Sequence, residues 1–274
     1  MLNPGRLLLG AFDDREHAVA FAQRVAIIEP KVVRARWAAA RDYFLASSAP
    51  APVETAPLDD ATRGTVEEIL SAPLFQSTLG ERPWSLASVH APSITALQPV
   101  VNLGRVAVMS DRLGAGDIIP ILFPVTTALD VEPETAEGST VSFISSRGEL
   151  AVSGAEIRRA TDTAPIELTF RIEPRPNYVS VLAAGEQLVL RNGHHRLIAA
   201  CQSGHAAVPM IVVEGNVETL AARIDGLPPV TEAGVRAATL SDFLTPTEAT
   251  IDVELRPKRY ALRLRVERET VYAG

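Results

Sequence analysis

The sequence predicts a mixed α/β fold of the α+β kind. Residues Gln187 to Val213 read as strand, tight turn, helix, turn, strand. Two stretches near the N-terminus repeat apolar residues at helical spacing. Near the C-terminus, Thr250 to Arg268 alternates apolar and polar residues with period two.

In chain order, Asp13 or Asp14 caps a helix that carries Ala18, Val19, Phe21, Ala22, Val25 and Ala26. Pro30 suits the first turn of a second helix, running to about Ala46. Its apolar stripe is Val32, Val33, Trp37, Ala40 and Phe44. Residues 47–57 have the Ala, Pro and Ser content of a linker. Asp59 or Asp60 caps a third helix through Val66, Ile69 and Leu70, and Pro73 ends it. Trp84 to Val89 is an expected strand.

Residues 103–186 form a long insertion with strands at Thr140–Ile144 and Glu167–Ile172. Such an insertion suits a lid, a specificity loop or an interface. Within it, Ser145-Ser146-Arg147-Gly148 is a weak second anion-loop candidate. A hairpin from Tyr178 to Leu190 turns at Gly185. After Val213, helices are expected at Val217–Ile224 and Thr239–Leu244. Thr250–Arg256 and Tyr260–Arg268, bent at Pro257-Lys258, predict a C-terminal β hairpin.

The chain has 274 residues, 47% of them hydrophobic and 22% charged, with a net charge of −7. That is enough chain for a sizeable core. The acidic balance argues against duplex DNA as a partner, since broad nucleic-acid binding draws on a basic face. A single cysteine, Cys201, leaves no disulfide framework and points to a reducing, cytoplasmic setting. No apolar run approaches the ~20 residues of a membrane span, so no membrane partner is expected.

The chemical interest lies in Asn192-Gly193-His194-His195-Arg196. A glycine feeding a helix start leaves backbone N–H groups unpaired, and the helix dipole adds positive potential. Arg196 offers a planar fork for phosphate oxygens, and the histidines offer further donors. A phosphate or nucleotide tail suits this arrangement; a purely structural turn is the competing reading. His194, His195 and His205 do not make a metal site, because adjacent helical residues point about 100° apart.

The same residues, with Leu197-Ile198-Ala199-Ala200, Gly204 and Val208-Pro209, resemble the phosphate-binding box of the ParB/sulfiredoxin-like superfamily. Ser93 to Pro99 is similar to that superfamily's opening motif, with Gln98-Pro99 in place and Val100 where the family has Arg. The resemblance implies a central domain at 75–226. It would be flanked by an N-terminal helical segment at 1–74 and a C-terminal helix-turn and β hairpin at 227–274. It implies ATP or another nucleotide with Mg²⁺, bound by Asn192, Gly193, His194, His195 and Arg196. Gln98 and His205 are additional candidates. Sulfiredoxin has Cys where His194 stands, which argues against its chemistry here; free-serine kinases, with Asp-Gly-His-Thr-Arg, come nearest in form.

The expected function is therefore a nucleotide- or phosphate-binding protein, an ATP-dependent small-molecule kinase or phosphohydrolase. A non-catalytic binding or scaffold protein is the alternative, and a DNA-associated regulator the second alternative. A homo-oligomer is compatible with each. Asp111, Asp117, Glu149, Glu173 and Glu186 are carboxylates that could act as a general base, and spacing singles out none.

Overall fold

The computed structural model describes residues 3–47, 53–72, 75, 83–114, 116–124, 131–137, 140–145, 150–158, 167–174, 177–184, 187–215, 238–258 and 260–265. Among the described residues it is a mixed α+β structure with seven helices and several sheets. Contacts divide the chain into two compact units. Unit 1 is residues 1–125 and 177–256, and unit 2 is residues 126–176 and 257–274. The junctions expected at 74/75 and 226/227 both lie within unit 1.

Unit 1 holds two sheets. In the first, β1 (Pro4–Leu8), β2 (Ala26–Ile27), β5 (Val100–Asn102) and β13 (Thr250–Leu255) are ordered β2-β13-β1-β5. All of its pairs are antiparallel. Arg6 on β1 is buried and forked onto Asp252 of β13, Nε to Oδ1 at 2.8 Å and Nη2 to Oδ2 at 3.2 Å. Its Nη1 also donates to the Phe243 carbonyl at 3.0 Å.

Helices α1 (Arg15–Val25) and α2 (Pro30–Ala46) pack together beside this sheet. Asp14 caps α1 by accepting the His17 N–H at 2.7 Å, and Pro30 opens α2, as expected. Of the α2 stripe, Val33, Ala40 and Phe44 are buried and Trp37 is half-buried, while Val32 is exposed. Phe12 and Phe21 meet in the same small core, ring centroids 5.3 Å apart.

The second sheet is ordered β11-β10-β12-β4-β3: β3 (Thr55–Ala56), β4 (Trp84–His90), β10 (Ser180–Ala184), β11 (Gln187–Asn192) and β12 (Ala207–Glu214). β10 and β12 run parallel, and every other pair is antiparallel. The expected β10–β11 hairpin is present, closing at Ala184↔Gln187. Asp59 caps α3 (Asp60–Leu70), accepting the Thr62 N–H at 2.9 Å. Helices α4 (Leu103–Leu113), α5 (Ile119–Leu122), α6 (His194–Gln202) and α7 (Ser241–Leu244) complete the unit. Leu197 to Ala200 are fully buried, so α6 runs through the larger core.

Unit 2 comprises a three-stranded sheet ordered β14-β7-β6 and a two-stranded ribbon. The sheet is β6 (Val131–Glu137), β7 (Thr140–Ser145) and β14 (Tyr260–Arg265); the ribbon is β8 (Leu150–Arg158) and β9 (Glu167–Pro174). The strands expected in the insertion are found, as β7 and β9.

The C-terminal hairpin requires correction. Both strands form, but they do not pair with each other. β13 pairs with β1 and β2, and β14 pairs with β7. Period-two alternation marks a strand and one wet face; it carries no information on the partner. The helix expected at 217–224, and the turns at Gly185 and at 146–148, lie outside the described residues. Among the described residues no helix is long and apolar enough to cross a membrane.

Candidate functional site

Gly193 stands between β11 and α6 with φ +106° and ψ 16°, a left-handed conformation. A Cβ there would lie 2.7 Å from Val179 Cγ2. The first helical hydrogen bond is Leu197 N–H to Gly193 O, at 3.0 Å. The N–H groups of His194, His195 and Arg196 thus precede the intrahelical ladder. At the far end, Gly204 takes φ +88°. Its N–H donates to Cys201 O at 3.1 Å and the His205 N–H to Ala200 O at 2.9 Å, a Schellman closure.

The cations of the turn face inward. Arg196 is only 7% exposed. Its Nη1 donates to the Leu122 carbonyl at 2.9 Å, and its Nη2 to Asn177 Oδ1. Leu122 O also receives the Val179 N–H at 3.1 Å. Burial lowers the guanidinium to about 10, which still leaves it charged at neutral pH. Leu122 ends α5 shortly before the chain leaves unit 1, and Asn177 is where it returns. One guanidinium therefore binds both chain segments that flank the insertion.

His194 is 7% exposed, with its ring edge-on to Phe243 at 5.5 Å. Among the described residues its buried Nε2 has no hydrogen-bond partner. Burial, and secondarily the neighbouring His195, holds it down to about 3, so the ring is neutral. His195 is half-buried, and its Nε2 accepts the Asn102 N–H at 3.0 Å. That bond fixes the Nδ1–H tautomer. Asn102 in turn caps α4 through the Arg105 N–H at 2.9 Å and donates to Asn3 Oδ1 at 2.6 Å. The two histidines diverge, one to Phe243 and one to Asn102, as expected for neighbours on a helix.

The remaining candidates are dispersed. Asn192 is half-buried at the end of β11, opposite Ser180. Gln98 is half-buried in a loop held beside β11 by Thr95 N–H to Leu188 O, 2.9 Å, and Leu190 N–H to Thr95 O, 2.8 Å. His205 is exposed beyond the other end of α6, about 13 Å along the helix, too far to share a ligand with the turn.

Among the carboxylates, Asp111 is exposed on α4 and Asp117 accepts the Ile119 N–H at 2.9 Å. Glu149 and Glu186 lie outside the described residues, as does the side chain of Glu173. A cleft of 290 Å³, lined among others by Asp59, Thr62, Ser88, Asp117 and Pro209, includes no residue of the turn.

The partners that give the turn its character were not legible in the sequence. Leu122 acts through a backbone carbonyl 74 residues from Arg196, and a carbonyl has no residue signature. Asn177 is a lone amide 19 residues upstream.

Cys201, on α6, is half-buried, and burial pushes its thiol up to about 11. So little thiolate at pH 7.5 predicts slow native alkylation by iodoacetamide and fast alkylation after unfolding. Cys201→Ala should cost about 1 kcal/mol or less. Rapid native labelling would give the thiol a chemical role.

Comparison with protein-family models, with curated proteins and with solved structures finds no match for this chain.

Proposed function

We propose that the protein is a non-catalytic scaffold in which the Asn-Gly-His-His-Arg turn is a fold bracket that holds the insertion's two chain crossings. The observation that carries this reading is the Arg196 fork, spent on Leu122 O and Asn177 Oδ1 in a site where the side chain is 7% exposed. A phosphate would have to draw the fork away from both acceptors, costing about 1–3 kcal/mol at Asn177 Oδ1, which loses its donor, while Leu122 O keeps the Val179 N–H. His194 supports the same reading, being buried and neutral against Phe243.

One feature favours a second reading, the nucleotide or phosphate site. The N–H groups at the start of α6 precede the ladder, and Asn192 and His195 beside them are only half-buried. There the backbone, rather than Arg196, would hold the phosphates, with Mg²⁺ kept mainly by phosphate and water oxygens.

Thermal unfolding with about 1 mM ATP, ADP, CTP or GTP, with and without Mg²⁺, separates the two readings. Binding at a Kd of about 10 μM would add roughly 2.7 kcal/mol. For a chain of this size that corresponds to a rise of roughly 5–10 °C. The scaffold reading predicts no rise with any of them.

A further inference from the structure

Asparagine precedes glycine once in the chain: of the five asparagines, Asn192 alone is followed by Gly. A residue without Cβ leaves its nitrogen open to approach from the preceding side chain. Asn192 is half-buried, and among the described residues its carboxamide makes no hydrogen bond that would hold it back. The ladder around it is irregular. Val181 faces Leu190 and Ser180 faces Asn192, so Arg191 is the extra residue of a β-bulge. Gly193 itself caps α6, and the helix dipole sets a positive potential there. That potential favours negative charge on the Gly193 nitrogen and on the oxygen of Asn192 Cγ.

We infer that Asn192 is a site of spontaneous covalent modification, at which the turn converts from asparagine to aspartate and isoaspartate through a cyclic imide with Gly193. The Gly193 nitrogen gives up its proton and bonds to Asn192 Cγ. The Cγ–Nδ2 bond breaks, and Nδ2 leaves as ammonia with that proton. Water then opens the imide. Addition at Cγ breaks the new C–N bond and yields aspartate with the main chain intact. Addition at the main-chain carbonyl of residue 192 breaks the original peptide bond, and the chain continues through Cγ as isoaspartate, one carbon longer. No oxidant, reductant or enzyme enters. The two products differ in consequence. Aspartate adds a negative charge beside the N-terminus of α6, which the dipole favours. Isoaspartate shifts Gly193, whose carbonyl accepts the first helical hydrogen bond from Leu197, and with it the start of α6 that carries Arg196. The modification does not depend on the bracket; the loss of stability in the isoaspartate form rests on it.

The test ages the full chain in warm, mildly alkaline buffer, folded and in urea, and follows each asparagine peptide by mass spectrometry. Isoaspartate is read by its methylation with an isoaspartyl methyltransferase. The expected result is replacement of the amide NH₂ by OH at Asn192 in the folded chain, at a rate within about tenfold of the urea-unfolded chain. Asn192→Gln should suppress that change and keep the parent's far-UV spectrum. Aged protein separated by its added charge, and rich in isoaspartate, should unfold roughly 4 °C or more below the charge-matched Asn192→Asp variant, which should match the parent. A folded rate further below the unfolded one than about tenfold overturns the inference, since the turn would then protect its asparagine. So does modification that runs faster at any other asparagine of the folded chain. Aged protein that unfolds together with Asn192→Asp upholds the modification and counts against the bracket.

Discussion

Gly193→Val is expected to cost about 4 kcal/mol, a large share of the roughly 5–15 kcal/mol that holds a folded protein. Two independent terms add. A β-branched residue at φ +106° is strained by roughly 1–3 kcal/mol. Its Cβ would also lie 2.7 Å from Val179 Cγ2, and overpacking of this kind costs about 1–3 kcal/mol. Val179 cannot retreat easily, since its N–H is held by Leu122 O and its carbonyl by the Ile211 N–H at 3.3 Å. Gly193→Ala should lie between valine and the parent, keeping the strain but shedding the branch. Urea unfolding followed by circular dichroism reads both. Parent-like midpoints for both variants would mean that the turn tolerates a side chain and that the backbone reading is wrong.

Stability should also fall steeply in mild acid, and His194 should be the main cause. In the folded protein the ring is held down to about 3, against an ordinary value of 6.5. A group depressed on folding lends stability that is fully present above its unfolded pKa. That contribution is lost progressively as pH falls from about 6.5 toward 3. The loss amounts to roughly 5 kcal/mol at the acid end. His194→Leu removes the titrating group and, with it, a buried Nε2 that has no partner among the described residues. The variant should therefore unfold at the same midpoint as the parent at pH 7.5, or a higher one, and lose much of the slope between pH 6.5 and 4. Equal slopes in parent and variant would move the acid sensitivity to another group.

The helices were legible because their ends carry chemistry. Asp14 and Asp59 accept the N–H groups that caps accept, Pro30 sits at a first turn, and Gly204 takes the left-handed closure of α6. β10, β11 and β12 were legible from short apolar runs bounded by turn residues. What the residues could not convey is partnership. β13 and β14 look like a hairpin because they are adjacent and both alternate, yet each finds its ladder with strands distant in sequence. β1 lacks alternation because four of its five residues are buried, and it escaped notice for that reason. The turn itself was identified, and its conformation is the expected one. Which way Arg196 points was decided by an acceptor carbonyl at Leu122 and an amide at Asn177, and neither leaves a pattern in the sequence.

The most direct measurement is the thermal midpoint of Arg196→Ala without any ligand. The variant loses two charge-assisted bonds and leaves Asn177 Oδ1 without its donor, a loss of about 3 kcal/mol. The bracket account predicts a midpoint lower by roughly 6–12 °C. Arg196→Lys should recover only part, because an ammonium cannot reach both acceptors with a planar fork. A midpoint equal to the parent's, together with loss of a nucleotide-induced rise that the parent displays, would contradict the account and return Arg196 to the phosphate.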